Sequence, residues 1–266
     1  MLQIMRELED LLASGSAGLS SEGLLALGVI MLAALLLAIA LLKVGDDYRL
    51  SLRPLPACQR LIEAIGEAAE SGKSIHLSAG TGAVGAAASA DTLAGVNAIA
   101  SLAGRAATAR AKLLVTTASP LVLPLLQAAS EQAYANAGVP AEYDPGQVRF
   151  AGDDRNAYAV AVADSLYHEN ISDSLLLGSL GDETLFIGER GRNAGVTQVI
   201  GTPSTRALPY AVATADAVIV GEETYAAAAY LSRRPAHLAS LLVQDWLRLL
   251  VVGAIIAGAI SKTMGW

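Results

Sequence analysis

The sequence predicts an α/β fold, in which a Rossmann-like, doubly wound parallel sheet of about six strands is flanked by two transmembrane helices and a short N-terminal amphipathic helix. Three observations lead to this prediction. The 266 residues are 53% hydrophobic but only 16% charged, whereas about a quarter of a soluble domain is charged. Two long apolar stretches lie near the two ends of the chain. Between them, short apolar runs alternate with alanine-rich helical stretches.

Residues 1–19 form the predicted amphipathic segment. Leu2, Met5, Leu8 and Leu12 recur at helical spacing and share one face. The run SGSAG that follows ends the pattern. We expect a short helix on the membrane surface, and docking on a partner protein is the alternative.

Residues 20–43 contain the first predicted span. The twenty residues 23–42 carry no charge and give about 30 Å of helix, which is the thickness of a bilayer hydrocarbon core. A signal peptide is the competing interpretation. It fits poorly because acidic residues precede the apolar run and because the run is too long.

Residues 237–266 contain the second predicted span, placed at residues 247–264. Its apolar run is short, but Trp246 and Trp266 are spaced to mark both membrane interfaces. Arg248 and Lys262 lie within reach of the same interfaces. A buried helix of the central domain is the alternative.

Basic residues beside the spans predict the orientation, since Lys and Arg favour the cytoplasmic side. Lys43 follows the first span, and Arg233 and Arg234 precede the second. We therefore expect an inner (cytoplasmic) membrane protein with a cytoplasmic central domain and both termini outside. The single cysteine, Cys58, fits a reducing compartment.

Residues 44–57 are predicted to be a linker and residues 58–236 the α/β domain. Nearly continuous apolar strands separated by helices are typical of a parallel sheet that is covered on both faces. The expected strands are residues 74–78, 112–117, 147–151, 174–178, 198–201 and 217–220. The expected helices are residues 58–70, 91–109, 120–137, 155–169, 183–193, 205–214 and 223–232.

The charge of the central domain and the small residues of the second span indicate which partners the protein binds. Residues 44–236 carry 14 Lys and Arg against 20 Asp and Glu, so the domain is a poor match for nucleic acid. Gly253 with Ala257, and Ala254 with Gly258, form small-xxx-small pairs in the second span, and such pairs let helices approach closely. The expected partners are the lipid bilayer, a second copy of the chain and other membrane proteins.

The glycine loop, residues 80–85, reads Gly80-Thr81-Gly82-Ala83-Val84-Gly85 and directly follows the first strand. A GxGxxG turn there can bring backbone amides to the phosphates of a nucleotide cofactor. Two features depart from that fingerprint, because no acidic residue ends the second strand and the loop is long. A structural turn is therefore the alternative, and the cofactor stays unknown.

Ligands of open α/β sheets bind beyond the carboxyl ends of the strands. Ser119, Asp153 and Asp154 lie there and join the glycine loop as candidate binding residues. The whole set favours a polyol or a divalent cation over a bare phosphate, unless its members simply cap helices. The other polar residues at these ends are Ser78, Thr81, Thr116, Thr117, Asn156, Ser179, Asp182, Glu183, Thr202, Ser204, Thr205, Arg206, Glu222 and Glu223.

Familiar catalytic patterns are missing from the sequence. There is no GxxxxGK[ST] or GxSxG motif, and no spacing of His or Cys that suits a metal. His76 is the one histidine close to the candidate site, and a packed, hydrogen-bonded role suits it better than catalysis. We therefore name no catalytic residue and no metal ligand.

The segments HLSAGTGAVG, AVIVGEETYAAAAYL and PAHLASLLVQDWLRLL resemble those of an uncharacterised bacterial family described only as a domain of unknown function. The resemblance covers most of residues 43–250. It implies a membrane-anchored, Rossmann-like domain and supplies no activity.

The leading functional hypothesis is a membrane-anchored, non-catalytic assembly or scaffold component that forms homo-oligomers. It follows from the absent catalytic motifs and from the small-residue helix face. One alternative is a sensor or enzyme that binds a nucleotide or polyol at the glycine loop. Another is an accessory subunit of a larger membrane complex.

Overall fold

The computed structural model describes residues 21–44, 53–85, 87–232 and 234–263. The chain divides into two compact units, Ser51–His237 and Met1–Leu50 with Leu238–Trp266. The predicted amphipathic helix of residues 1–19 lies outside the described residues, as does most of the predicted linker.

The described helices and strands follow one another in an almost strict alternation. The helices are α1 Ser21–Lys43, α2 Pro56–Ser71, α3 Ser89–Ala109, α4 Leu123–Asn136, α5 Arg155–His168, α6 Glu183–Asn193, α7 Leu208–Thr214, α8 Glu223–Ser232 and α9 Pro235–Thr263. The strands are β1 Ser74–Gly80, β2 Lys112–Thr117, β3 Val148–Phe150, β4 Ile171–Ser179, β5 Thr197–Thr202 and β6 Ala217–Val220. Two short 3-10 helices, Pro140–Glu142 and Pro145–Gln147, precede β3.

The six strands form one sheet in the order β3-β2-β1-β4-β5-β6, and all five strand pairings are parallel. This is the strand order of a doubly wound, Rossmann-like sheet, so the predicted fold class is confirmed. The order reverses between β1 and β4. β2 and β3 extend the sheet on one side of β1, and β4, β5 and β6 extend it on the other side. A crevice at the carboxyl edge is expected at such a point.

Three elements begin three residues away from the predicted start, and polar residues or proline at their starts explain the difference. β4 begins at Ile171, three residues early, because Ser172 and Asp173 interrupt the apolar run that was used to find the strand. α4 and α7 begin three residues late, since each has a proline in its first turn. Proline suits that position because it needs no amide donor.

Helices cover both faces of the sheet, as continuous apolar strands require. On one face, Leu77, Val115 and Leu175 are buried with side chains of α2, α3, α4 and α8. On the other face, Leu114 and Leu176 are buried with α5, α6 and α7. The sheet therefore fixes the N-termini of α5 and α6 close to the carboxyl ends of the strands.

Two helices are long and apolar enough to cross a membrane, over Ala26–Lys43 and Pro235–Ile260. The second helix begins at Pro235, twelve residues before the predicted span, since the segment ahead of the span is itself helical. The Nζ atom of Lys43 lies 5.5 Å from the ring centroid of Trp246. From Trp246 to the end of α9 the helix runs for about 27 Å, close to one hydrocarbon thickness.

Candidate functional site

Three amides of the glycine loop donate hydrogen bonds to residues beside the loop. The amide of Gly80 donates to Ser78 Oγ at 3.2 Å, and the amide of Thr81 donates to the Ser179 carbonyl at 3.0 Å. The amide of Gly85 donates to Ser89 Oγ at 2.9 Å. These donors are occupied, whereas a phosphate-binding turn presents its amides to the ligand. These three amides therefore have a structural role, and nucleotide binding by the loop stays a prediction.

Close packing explains two of the three glycines in the loop. A Cβ atom at Gly80 would clash with the backbone carbonyl of Ser179. A Cβ atom at Gly82 would clash with Thr92 Oγ1 and would lie 2.7 Å from Ser179 Cβ. The partners in both clashes belong to elements that pack beside β1. Gly85 has open space at its Cβ position, and its φ of +92° is a conformation that favours glycine.

The other predicted binding residues have separate surroundings. Asp154 is the N-cap of α5, and its Oδ1 accepts from the amides of Asn156 at 2.8 Å and Ala157 at 3.2 Å. Such a cap satisfies otherwise unpaired amides. Ser119 is buried, and Asp153 is exposed. The capping alternative thus accounts for Asp154.

A closed polar network lies inside the sheet. The ring nitrogens of His76 lie 2.8 Å from Ser174 Oγ and 2.8 Å from Thr116 Oγ1. Since both partners are hydroxyls, either neutral tautomer of His76 is satisfied. Ser78 Oγ donates to the Thr116 carbonyl and lies 2.6 Å from the hydroxyl of Tyr158. All of these side chains are buried.

Burial determines the protonation of this network. It lowers the pKa of His76 to about 3, because the charged imidazolium is desolvated. Burial also raises the pKa of Tyr158, since the phenolate is disfavoured. Both side chains stay neutral at physiological pH, and both already have hydrogen-bond partners. The network is therefore suited to linking strands, and His76 is packed and hydrogen-bonded as the sequence predicted.

A cavity of about 540 Å³, here called the α5–α6 cavity, opens between the N-termini of these two helices. Its size is that of a small-molecule site. It brings together five of the polar residues that the sequence placed at the strand ends: Asp154, Asn156, Asp182, Glu183 and Arg206. The glycine loop contributes one contact to it, since Thr81 Oγ1 donates to Glu183 Oε1 at 3.1 Å.

Two lining residues, Arg155 and Phe186, were missed by the sequence analysis. Helical spacing could have found Phe186, because it lies three residues after Glu183 and so shares its face of α6. Arg155 follows Asp154 directly at the start of α5. Its position after the N-cap gives no sequence signal for a side chain that faces a cavity.

The described residues contain no group of three or more His, Cys, Asp or Glu that could hold a metal ion. At the predicted membrane interfaces, Arg248 Nη1 lies 3.5 Å from Asp245 Oδ1 one turn earlier. The side chains of Arg234 and Lys262 are exposed. The remaining predicted interface residues, Arg233 and Trp266, lie outside the described residues.

Comparison with known proteins gives one match. Residues 19–266 match a protein family described as a domain of unknown function (DUF6754). No curated protein and no solved structure matches the chain.

We predict that buried His76 makes the domain sensitive to acid. The imidazole has a pKa of about 3 in the folded chain and about 6.5 when unfolded. The unfolded state therefore binds more protons between these values, and stability falls as pH drops from about 6.5 towards 3. The slope from this one group is about 1.4 kcal/mol per pH unit.

Denaturant unfolding of the full chain in detergent, followed by circular dichroism across this pH range, measures the effect. His76→Gln retains a donor and an acceptor but cannot be protonated, so we expect a flatter pH dependence than in the wild type. His168→Gln, at an exposed position, is the control and should keep the wild-type slope. Equal slopes for the wild type and His76→Gln would show that His76 is not the sensitive group.

Proposed function

Since the chain belongs to the family described as a domain of unknown function (DUF6754), which carries no activity with it, we propose a function from the structure itself. The protein is a membrane-anchored α/β domain that serves as a non-catalytic assembly or scaffold component and forms homo-oligomers. The observation that carries this proposal is the exposed apolar surface of α1 and α9.

The anchoring rests on α1 and α9. Leu42 is 87% exposed and Leu249 is 70% exposed, and almost nothing else covers the apolar length of either helix. Exposed apolar surface of this extent is costly in water. Lipid removes that cost for helices whose backbone hydrogen bonds are all internal. Trp246, in contact with Lys43, marks the interface where α1 ends.

The orientation rests on basic residues. Lys43 ends α1, and Arg234 directly precedes α9. Both fit the cytoplasmic side of a bacterial inner membrane. In this arrangement the α/β domain is cytoplasmic, and both termini are outside. The buried Cys58 thiol fits a reducing compartment.

Cysteine labelling tests the orientation. In a Cys58→Ser chain, we expect Asp153→Cys, at an exposed loop position, to react with a membrane-impermeant maleimide only after spheroplasts are opened. Ser16→Cys in the same background should react in intact spheroplasts, because it precedes the first span. Labelling of Asp153→Cys in intact spheroplasts would overturn the orientation.

Self-association is supported by one face of α9. The pairs Gly253 with Ala257 and Ala254 with Gly258 share this face, and all four are exposed. No atom lies within 4 Å of where a Cβ would stand on either glycine. Small residues let a second helix approach to backbone distance in lipid. The non-catalytic role is supported by the polar network around His76, whose members are satisfied by one another.

Disulfide cross-linking in membranes tests self-association. In a Cys58→Ser chain, we expect Ala257→Cys to form a covalent dimer, since it lies on the small-residue face. Ala259→Cys is the matched control, because it makes the same change about 160° further round the helix. We expect at least about tenfold less dimer from the control. Equal cross-linking of the two, or none at Ala257→Cys, would contradict the proposed homo-oligomer.

A further inference from the structure

The carboxylate of Glu183 has one oxygen occupied and one unoccupied by the chain. Glu183 Oε1 accepts from the Gly181 amide at 2.8 Å and from Thr81 Oγ1 at 3.1 Å. These two donors come from the loops after β4 and β1, so they fix the orientation of the carboxylate. Glu183 Oε2 is buried and accepts no hydrogen bond from any residue that the structure describes.

Leaving that oxygen without a donor is costly. Only 6% of Glu183 is exposed, and a buried polar atom without a partner loses the hydrogen bonds that water would give it. Structural carboxylates avoid this cost by accepting at both oxygens. Because Glu183 lines the α5–α6 cavity, a ligand there can supply the donor.

Cationic groups lie on the same cavity. Arg155 and Arg206 both line it. Arg155 Nη1 lies 3.6 Å from Asp182 Oδ1, and both side chains are more than half exposed, so the attraction between them is weak. Arg206 is exposed and has no ion pair among the described residues. Three carboxylates, those of Asp154, Asp182 and Glu183, line the same cavity, so a negatively charged group fits only on the side where Arg206 lies.

Glu183 Oε2 and the guanidinium group of Arg155 lie beside the same residue, Gly181. A Cβ atom on Gly181 would lie 2.7 Å from Glu183 Oε2 and 2.8 Å from Arg155 Nη1. Both distances are shorter than a real Cβ atom tolerates, so the two side chains already pack against the Gly181 backbone and lie beside each other at the cavity. Phe186, on the same face of α6 as Glu183, is 47% exposed and adds a ring to the cavity wall.

From this arrangement we propose that the α5–α6 cavity binds a phosphorylated sugar. A sugar hydroxyl donates to Glu183 Oε2, the phosphate lies against the guanidinium groups of Arg206 and Arg155, and the Phe186 ring packs on the C–H face of the sugar. Thr81 is a positioning residue, because it holds the carboxylate without touching the ligand. The site goes beyond the scaffold role and does not depend on it.

The chemistry selects this class over simpler ligands. A bare phosphate has no use for the Glu183 carboxylate and would be repelled by it. A neutral sugar would gain no charge interaction from Arg206, whose exposed guanidinium stays hydrated. A metal cation would meet two guanidinium groups. Only a ligand with both hydroxyl donors and an anionic group satisfies the two kinds of side chain together.

Isothermal titration calorimetry on the full chain in detergent tests the proposal. The probes are ribose 5-phosphate and glucose 6-phosphate, compared with ribose, glucose and inorganic phosphate. We expect at least one sugar phosphate to bind with a Kd below about 1 mM. It should bind at least about tenfold more tightly than its unphosphorylated sugar and than inorganic phosphate.

Variants assign the contacts. Arg206 is exposed, so Arg206→Ala should leave the fold intact. We expect it to weaken binding of the sugar phosphate at least about tenfold, to the affinity of the unphosphorylated sugar. Glu183→Gln should weaken the binding of the phosphorylated and the unphosphorylated sugar by the same factor. Arg190→Ala is the control, because this arginine of α6 lies over the Tyr167 ring, 4.9 Å from its centroid, and does not line the cavity. Failure of both sugar phosphates to bind, or unchanged binding in Arg206→Ala, would overturn the proposal.

Discussion

The structure depends on a close backbone contact where β1, β4 and α3 meet. A Cβ atom at Gly95 of α3 would clash with the Leu177 carbonyl of β4, and one at Gly80 would clash with the Ser179 carbonyl. At Gly178, a Cβ atom would lie 2.5 Å from the carbonyl of Ala79. Interiors are packed too densely to absorb even one methyl group at such points. Three glycines therefore let two central strands and a helix approach at the reversal point of the sheet.

This contact also explains the candidate site. Because β1 and β4 end side by side, Thr81 reaches across to the Ser179 carbonyl and to Glu183. The glycine loop thereby orients a carboxylate at the edge of the α5–α6 cavity, and three of its amides donate hydrogen bonds within the fold. Packing thus explains Gly80 and Gly82, whereas nucleotide binding by the loop stays a prediction. The polar side chains of the α5–α6 cavity follow the neighbouring strands.

The sequence predicted the sheet because short apolar runs alternate with helical stretches, and few folds other than a parallel α/β sheet produce this pattern. The sequence also placed Glu183 and Arg206 at the strand ends, because this placement requires only the residues at which each strand ends. It could not predict that Thr81 contacts Glu183, because the two are 102 residues apart and meet only once β1 and β4 are known to be neighbours. Nor could the GxGxxG spacing distinguish a bound ligand from close packing against Ser179 and Thr92 as the reason for Gly80 and Gly82.

The free energy of unfolding of two glycine variants in α3 tests the central contact most directly. Gly95→Ala places a methyl group against the Leu177 carbonyl, so we expect it to lower this free energy by about 2 kcal/mol. Gly104→Ala makes the same change in the same helix, where its Cβ would meet only Ala133 Cβ at 3.9 Å. That variant should be neutral or stabilising by up to about 1 kcal/mol. Equal effects of the two substitutions would contradict a backbone contact that only glycine permits.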